Sequence, residues 1–340
     1  MIVSTLERGE EAEWDAFVER SPEATFFHLS GWRDVIEQAF AHKTFYLVAR
    51  RQGAICGVLP LTQVKSALFG NALISNAFCV QGGIVAMDEE TSNALRARSV
   101  ETGNALGVGC IEFRAGHPSP GWYTRNDRYA TFRRQIEPET EKNLKAIPRK
   151  QRAVVRKAIA GGLRSEIDDS TDRLHHIYAA SVRRLGTPVF SRRYFRLLKE
   201  RFGPRCDVLT VTANGRPIAS VMNFYFRDQV LPYYGGGLEA ARSLGGNDFL
   251  YWEVMRRAAE AGLRTFDFGR SKVDTGSYNF KCNWGFEPTP LSYQFFPIRD
   301  RRIPDVNPLN PKYRIAVNLW RRLPLAVTKI LGPPIVRRIG

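Results

Sequence analysis

A polar segment after an apolar strand is the first place in the sequence where chemistry is expected. The run TFDF at 265–268 predicts a strand that breaks at Gly269, so that Arg270 and Ser271 follow a strand end, where binding loops are usually found. Asp267 on this strand suits a general base as well as it suits a carboxylate held in a salt bridge. The segment is therefore a candidate site for proton transfer and ligand binding.

Positive charge is concentrated in two segments of the chain. The 340 residues include 50 Lys and Arg against 34 Asp and Glu, with eight basic and no acidic residues over 142–164 and ten basic and two acidic residues over 299–340. A helix predicted over 149–160 carries a cationic stripe that suits the phosphates of tRNA, of a diphosphate-linked acceptor or of a membrane headgroup. The alternative is a solvated helix face. The candidate phosphate-binding residues are Arg149, Lys150, Arg152, Arg156 and Lys157.

Composition and cysteine usage narrow the class of protein. With 44% hydrophobic and 25% charged residues, the chain is predicted to be globular, with about two domains. The five cysteines are scattered without a CxxC pair, which argues against disulfides and a zinc site and favours a reduced, cytoplasmic location. The N-terminal residues lack the features of a secretory signal. We expect no metal and no tightly bound cofactor.

One arrangement of elements occurs twice along the chain. In each half, two strand-forming runs flank a tight turn, at 52–53 in the first half and at 214–215 in the second. Further strand segments, a helix that ends at Gly107 or Gly262, and a final strand follow. Only that final strand needs a helical crossover and parallel pairing. The sequence therefore predicts an α/β (α+β) fold of two similar domains with mixed, mostly antiparallel sheets.

Four segments together resemble a known family. They are FFHLSGWRDVI from Phe26, RKQRAVVRKAIAGGL from Arg149, YYGGGLEAARSLGGNDFLYWEVMRRAAEAGLRTFDFGRS from Tyr233 and YNFKCNWGFEP from Tyr278. Over roughly 25–296 the chain resembles the FemAB family of tandem-GNAT acyl and aminoacyl transferases, and most of all its subgroup associated with PEP-CTERM/exosortase exopolysaccharide systems. The resemblance implies two tandem GNAT-like (acyl-CoA N-acyltransferase-like) domains. The chain has no room for the helical-hairpin insert of some relatives, which argues against strong tRNA engagement.

The resemblance also implies a reaction. An acceptor amine or hydroxyl attacks an activated acyl carbonyl directly, so that substrates must be aligned, a proton removed and an oxyanion stabilised. The implied donor is aminoacyl-tRNA or acyl-CoA. The implied acceptor is a small-molecule or lipid-linked glycan, such as a cell-envelope or exopolysaccharide precursor, held in a cleft between the domains. No covalent protein nucleophile is needed, in agreement with the absence of GxSxG, SxxK, HExxH and P-loop signatures.

Two residues are the catalytic candidates under this resemblance. The family's lysine falls at Lys281, where it would bind a substrate carboxylate or phosphate or stabilise the oxyanion by its charge. The alternative is a solvated lysine before a buried turn at 284–286. Asp267 is the second candidate.

The resemblance also directs attention to the loop that holds the pyrophosphate of acyl-CoA in GNAT enzymes. The segment RSLGGN at 242–247 matches the R/Q-x-x-G-x-G/A pattern at all but its last position. The following Asp248 is expected to occupy the phosphate position at the start of a helix, which either Asn247 or Asp248 can cap. A plain glycine turn before a capped helix is therefore the favoured interpretation.

Further residues are candidates for substrate binding. His28 and Trp32 lie in a region that faces the acceptor in this family, although a single histidine is more often structural. Asn76 and Gln81 are polar in an apolar strand region, where they line a cleft or cap strand ends. The glycines at 235–237 allow close approach of a ligand or mark a bulge. The full set is His28, Trp32, Asn76, Gln81, Tyr233, Tyr234, Arg270, Ser271, Asn279 and Trp284.

The chain is predicted to consist of two domains, a linker helix and a tail. We predict a first domain over 1–140, a basic linker helix over 141–165, a second domain over 166–297 and a loosely packed basic tail over 298–340.

A nucleic-acid-binding protein without activity is one alternative to an enzyme, although no known binding motif is present. A peripheral membrane adaptor is another, since the tail places cations among Leu and Ile residues and suits an anionic membrane surface. Its prolines at 324, 333 and 334 are expected to interrupt a long helix.

Overall fold

The computed structural model of the protein describes residues 1–66, 70–114, 119–299 and 311–339, with the backbone alone at 311–314. The chain forms two compact units. Unit 1 consists of the described residues of Met1–Asp127 together with 291–299 and 337–339. Unit 2 consists of Arg128–Pro290 and the described residues of Pro308–Val336.

Strands from many short segments build two sheets. In chain order they are β1 Ile2–Thr5, β2 Lys43–Arg51, β3 Ala54–Ser66, β4 Gly70–Ser75, β5 Val85–Ala86, β6 Cys110–Arg114, β7 Tyr123–Arg125, β8 Tyr129–Gln135, β9 Arg164–Ile167, β10 Cys206–Ala213, β11 Arg216–Phe226, β12 Gln229–Gly237, β13 Thr265–Asp267, β14 Ser271–Lys272, β15 Pro288–Pro290 and β16 Tyr293–Pro297.

The α-helices lie singly or in pairs along the chain, between groups of these strands or after the last one. They are α1 Glu11–Arg20, α2 Gly31–Phe40, α3 Glu89–Leu106, α4 Thr140–Ala146, α5 Arg149–Ala160, α6 Asp172–Leu185, α7 Arg192–Phe202, α8 Glu239–Ser243, α9 Gly246–Glu260, α10 Gly276–Asn283, α11 Pro311–Arg322 and α12 Leu325–Val336.

Unit 1 is a mixed sheet covered by helices. Its strand order is β1-β2-β3-β4-β6-β16-β7, with β5 paired to β3. The pairs are antiparallel except β4 with β6, whose connection contains α3. The α3 helix begins where the Asp88 carboxylate accepts a hydrogen bond from the backbone N–H of Thr91, and it ends at Gly107 with φ of 60°. The predicted crossover is confirmed for this half.

Unit 2 repeats this plan. Its strand order is β14-β8-β13-β12-β11-β10-β9, with β15 paired to β8. Among the described strands of this unit, only β12 and β13 pair in parallel, and the connection between them contains α8 and α9. The apolar face of α9, which includes Phe249, Leu250 and Val254, joins the core formed by the sheet and α5. The predicted mixed, mostly antiparallel sheets are therefore present in both halves.

Both predicted hairpin turns are confirmed, and their backbone angles explain their sequences. Gln52 and Gly53 connect β2 to β3 with φ of 51° and 84°, and Asn214 and Gly215 connect β10 to β11 with φ of 49° and 75°. Two consecutive positive φ angles define a type I′ turn, which glycine and asparagine tolerate best.

The division into units differs from the continuous boundaries expected from the sequence. Strand β8, expected in the first domain, pairs with β13, β14 and β15 of unit 2. Strand β16, expected in the second domain, pairs with β6 and β7 of unit 1. The expected linker also belongs to unit 2, because α5 buries Val155 and Ala158 in its core. Strand pairing depends on non-local edges, which the local sequence pattern does not show.

The C-terminal segment packs more closely than expected. Residues 300–310 and 340 lie outside the described part of the chain, but α11 and α12 both contact α6. The α12 helix continues through Pro333 and Pro334 to Val336, so the interruption predicted at these two prolines is wrong, whereas Pro324 lies between α11 and α12. Gly332 of α12 lies against the backbone of Val189, where an added Cβ would be 2.8 Å from the Val189 nitrogen and oxygen. Among the helices of the described ranges, none is long and apolar enough to cross a membrane.

Candidate active site

The parallel strands of unit 2 diverge soon after they pair. Residues 229–230 of β12 pair with 265–266 of β13, and beyond them β12 continues to Gly237 with β11 as its partner. Since β13 ends at Asp267, the described residues provide no strand partner on the β13 side of β12 after Val230. Such an edge can accept an extended ligand through main-chain hydrogen bonds.

A bulge and a glycine run shape this part of β12. The register against β11 shifts between Met222 and Asn223, which pair with Tyr234 and Pro232, so Tyr233 is the extra residue. Tyr233 is half-buried. Tyr234 is buried, and its hydroxyl lies 2.8 Å from the hydroxyl of Tyr194. Tyr234 is thus a member of the aromatic core.

The glycines after these tyrosines have a packing role. An added Cβ on Gly236 would lie 2.8 Å from the Cβ of Ser181, a residue of α6. The absence of a side chain therefore lets α6 pack directly on β12. Close helix packing accounts for this glycine without a ligand.

The N-terminus of α9 lacks the side-chain cap predicted for it. The helix begins at Gly246, and its N-cap residue Gly245 has φ of 70° and makes no side-chain capping hydrogen bond. The prediction that Asn247 or Asp248 caps this helix is therefore wrong. Helix starts carry partial positive charge and unpaired N–H groups, which favour bound anions.

The Asp248 carboxylate is directed to a tryptophan rather than left at the expected phosphate position. Its Oδ1 accepts a hydrogen bond of 2.9 Å from the indole Nε1 of Trp284, whose side chain is completely buried. Burial raises the pKa of Asp248, and the Trp284 hydrogen bond opposes that shift. Trp284 holds one oxygen of this carboxylate, while the carboxylate also interacts with the backbone N–H of Asp248 at the helix start. The hydrogen bond to Asp248 gives Trp284, which is predicted from the sequence to bind substrate, a partner within the protein.

Lys281 is a buried amine, not the solvated lysine of the alternative interpretation. It lies on α10, and its Nζ donates hydrogen bonds to the carbonyl oxygens of Gly269 at 3.0 Å and Arg270 at 3.2 Å. The amine also lies over the rings of Phe132 and Phe268, 5.3 and 5.8 Å from their centroids. Burial lowers the pKa of Lys281 to about 7, with Asp267 opposing and Arg270 adding to the shift. A buried amine that titrates near neutral pH is typical of functional sites.

Asp267 is held on both carboxylate oxygens. Its Oδ2 pairs with Nη2 of Arg133 at 2.8 Å, and its Oδ1 accepts the backbone N–H of Gly269 at 2.7 Å. The carboxylate is buried, whereas Arg133 is partly exposed. Asp267 therefore organises the segment that Lys281 contacts, which matches the salt-bridge alternative rather than a carboxylate poised to take a proton.

The remaining candidates near α10 differ in their surroundings. The Arg270 guanidinium lies 4.4 Å from the centroid of the Tyr129 ring. Ser271 on β14 is buried, and its hydroxyl has no hydrogen-bond partner among the described residues. Asn279 is exposed on α10. The segment around Lys281 thus combines a cation, an unpaired hydroxyl and an exposed amide.

His28 and Trp32 of unit 1 each donate a buried hydrogen bond to a backbone carbonyl. The His28 Nδ1 accepts the N–H of Thr25 at 3.0 Å, and its Nε2 donates to the carbonyl of Gly83 at 3.1 Å. Burial lowers the pKa of His28 to about 4. Trp32 is fully buried, and its Nε1 donates to the carbonyl of Phe26 at 3.2 Å. Both side chains hold the start of α2 in place.

Asn76 lies in the left-handed region of backbone conformation, which asparagine tolerates. Its φ is 44°, its amide nitrogen donates to the carbonyl of Phe27, and its Oδ1 is buried without a partner in the described residues. The nearby Phe78 has φ of 69°, which is unusual for a bulky residue. Gln81 follows in the same loop and is half-buried.

The basic stripe on α5 borders the start of α9. An added Cβ on Gly245 would lie 2.8 Å from Cγ1 of Val154, so α5 packs against the N-cap of α9. Of the five cations, Arg149, Lys150, Arg156 and Lys157 are exposed, whereas the half-buried Arg152 donates to the carbonyl of Lys145 at 2.7 Å. None of the five makes an ion pair in the described part of the chain.

Sequence reasoning missed the residues that β8 brings to this site. Arg133 pairs with Asp267, Phe132 lies beneath Lys281, and Tyr129 lies beneath Arg270. Each partner is more than 130 residues away in the chain, and no local pattern connects them. The pairing of β8 with β13 brings them together.

Comparison with known proteins identifies the fold. Residues 142–282, within unit 2, match the family model described as an acetyltransferase (GNAT) domain. No curated protein matches the chain. Among solved structures, FemX is similar with a TM-score of 0.70 and 15% identity, over 88% of this chain and 98% of FemX. A tandem GNAT protein from the clavulanic acid biosynthesis pathway has a TM-score of 0.55 and 14% identity, over 87% and 98% of the two chains.

A third similar structure is the C-terminal domain (DUF2156) of a putative lysylphosphatidylglycerol synthetase from Agrobacterium fabrum. Its TM-score is 0.57 with 14% identity, over 84% of this chain and 91% of that domain. These identities show the fold alone. The chain is thus a GNAT-fold protein of two mixed α/β units, similar to FemX and to tandem GNAT proteins, as predicted. The domain match supports acyl transfer, and the PEP-CTERM-associated subgroup stays a prediction.

Proposed function

We propose that the protein transfers an acyl or aminoacyl group from acyl-CoA or aminoacyl-tRNA to an amine or hydroxyl of a cell-envelope or exopolysaccharide precursor. The observation that carries this proposal is the uncapped glycine start of α9 beside the diverging strands β12 and β13. This arrangement lies inside the segment that matches a GNAT acetyltransferase domain.

The donor is expected at the start of α9. The unpaired N–H groups and the helix dipole favour a phosphate there, and the Asp248 carboxylate that would compete is directed to Trp284. The packing of α5 against Gly245 supports a role for its exposed cations in binding the same anion. Both proposed donors carry phosphates, so the site suits either one.

The chemistry is direct attack of the acceptor on the donor carbonyl. Alignment of the two substrates and stabilisation of the developing oxyanion supply most of the acceleration in such a reaction. Lys281 is our catalytic candidate, because its amine is available in both protonation states near neutral pH. Asp267 positions the Gly269–Arg270 segment and raises the pKa of Lys281 by its charge.

The acceptor is the less constrained half of the proposal. A lipid-linked acceptor agrees with the name of one structural neighbour, the lysylphosphatidylglycerol synthetase domain. The resemblance noted in the sequence adds a glycan precursor.

Donor consumption tests the proposed function. Purified protein is incubated with labelled acyl-CoA or labelled aminoacyl-tRNA, with and without ribonuclease, across a panel of amine and hydroxyl acceptors. We expect one donor to be consumed and Lys281→Ala to abolish most of that activity. Lys43→Ala, which removes an exposed lysine of β2 in unit 1, serves as the matched control. Consumption of neither donor would contradict the proposal, as would full activity of Lys281→Ala.

A further inference from the structure

The two C-terminal helices each bury one side and expose the other. In α11, Val317 packs against Gly186, and Arg321 donates to the carbonyl of Leu185. In α12, Thr328, Gly332 and Val336 are buried at intervals of four residues. Both helices are thereby attached to α6 and the segment after it within unit 2.

The exposed sides of these helices are apolar. Ile315 is 80% exposed, Leu319 is 62% exposed and Ile330 is 73% exposed. Ile315 and Leu319 each lie two positions from Val317, and therefore on roughly the opposite side of α11. Ile330 stands in the same relation to the buried Thr328 and Gly332 of α12. We call the exposed set the tail face; it consists of Ile315, Leu319, Ile330, Leu331 and Ile335.

The segment that carries the tail face has charge of one sign. The sequence over 311–340 contains seven basic residues and no acidic ones. Arg321 and Arg322 are exposed in the last turn of α11, and the last turn of the supporting α6 carries Arg183 and Arg184. The acidic residue of α6, Asp172, lies in its first turn. The apolar side chains of α11 and α12 are therefore accompanied by cations within the same segment of the chain.

We propose that the tail face binds the surface of an anionic phospholipid bilayer. Exposed Ile and Leu side chains on a cationic helix enter the boundary between headgroups and acyl chains, while arginines contact lipid phosphates. A second copy of the chain is a poorer occupant, because a shared tail face would bring like charges together. This proposal goes beyond the transfer reaction and does not depend on it, since vesicle binding is measured without substrate.

Vesicle sedimentation tests the proposal with the full chain. Vesicles are made of phosphatidylcholine alone or of phosphatidylcholine with phosphatidylglycerol. We expect binding to the anionic vesicles alone and a loss of binding at high salt. Ile315→Glu and Ile330→Glu should each lower the partition coefficient about tenfold, since each removes one inserted apolar side chain and adds a negative charge.

The matched control is Met87→Glu, which changes an equally exposed apolar residue of unit 1, 73% exposed, and should leave binding unchanged. Circular dichroism checks that every variant is folded. No binding to anionic vesicles would overturn the proposal, as would equal binding by Ile315→Glu and wild type. Self-association that Ile315→Glu abolishes, without vesicle binding, would also overturn it by assigning the face to a second copy. Donor consumption by Ile315→Glu, measured on a soluble acceptor, keeps the outcome separate from that of the proposed function.

Discussion

Replacing Lys281 by methionine should change how stability depends on pH. In the folded protein, burial lowers the pKa of Lys281 from 10.5 to about 7. In this range the unfolded chain holds a proton that the folded chain has lost, so wild-type stability should rise with pH between about 7 and 10.5. The slope from this one group approaches about 1.4 kcal/mol per pH unit.

The methionine variant lacks this contribution. Between pH 7.5 and 9.5 the wild type should therefore gain about 2 to 3 kcal/mol over Lys281→Met. At pH 7 the two unfolding free energies should differ by less than about 2 kcal/mol, because the lost hydrogen bonds to Gly269 and Arg270 are offset by removal of a desolvated charge.

Urea unfolding followed by circular dichroism at several pH values measures this difference. Subtracting the variant from the wild type cancels the titration of the groups they share. If the unfolding free energies of the two proteins changed in parallel with pH, the conclusion that Lys281 is a buried amine with a lowered pKa would be refuted. Turnover of Lys281→Arg then separates two roles, because arginine keeps the charge but cannot give up a proton. Turnover by Lys281→Arg together with no turnover by Lys281→Met would show that the lysine acts through its positive charge.

Three further predictions concern other contacts. His28→Ala should lower the unfolding free energy by about 1 to 3 kcal/mol, because it removes two hydrogen bonds. The pH profile of turnover above pH 6 should be unchanged, because the pKa of His28 is about 4. Retained stability with lost turnover would instead assign His28 to acceptor binding. Gly332→Ala should lower the unfolding free energy by about 1 to 3 kcal/mol, because the added methyl group overlaps the Val189 backbone. It should also speed proteolysis within α12, and an unchanged cleavage rate would contradict that packing. Trp284→Phe should raise the KM for acyl-CoA several-fold, because it releases the Asp248 carboxylate near the phosphate position. Adding Asp248→Asn should restore the KM, and failure to do so would show that the carboxylate does not compete.

Residue patterns single out the segment around Lys281 but do not predict the distant partner of Asp248. The segment 267–281 is singled out by its strand end and by the resemblance, and the structure brings Asp267, Gly269, Arg270 and Lys281 into contact. The environment of Asp248 is predicted wrongly, because the indole that binds it lies 36 residues further along the chain. A helix rule applied to neighbouring residues does not account for such a partner.

Local residue patterns are sufficient to predict several elements of the fold. Both type I′ turns, the two crossover helices and the duplicated order of strands follow from residue types a few positions apart, because φ preferences and hydrophobic periodicity act over that distance.

The assignment of each strand to a sheet, and the surroundings of the site that depend on it, arise only in the folded protein. β8 carries Arg133 to Asp267 and Phe132 to Lys281, and burial among them sets the pKa of the lysine. Desolvation and ion pairing depend on groups that are distant in the chain, so they exist only once the sheet has formed.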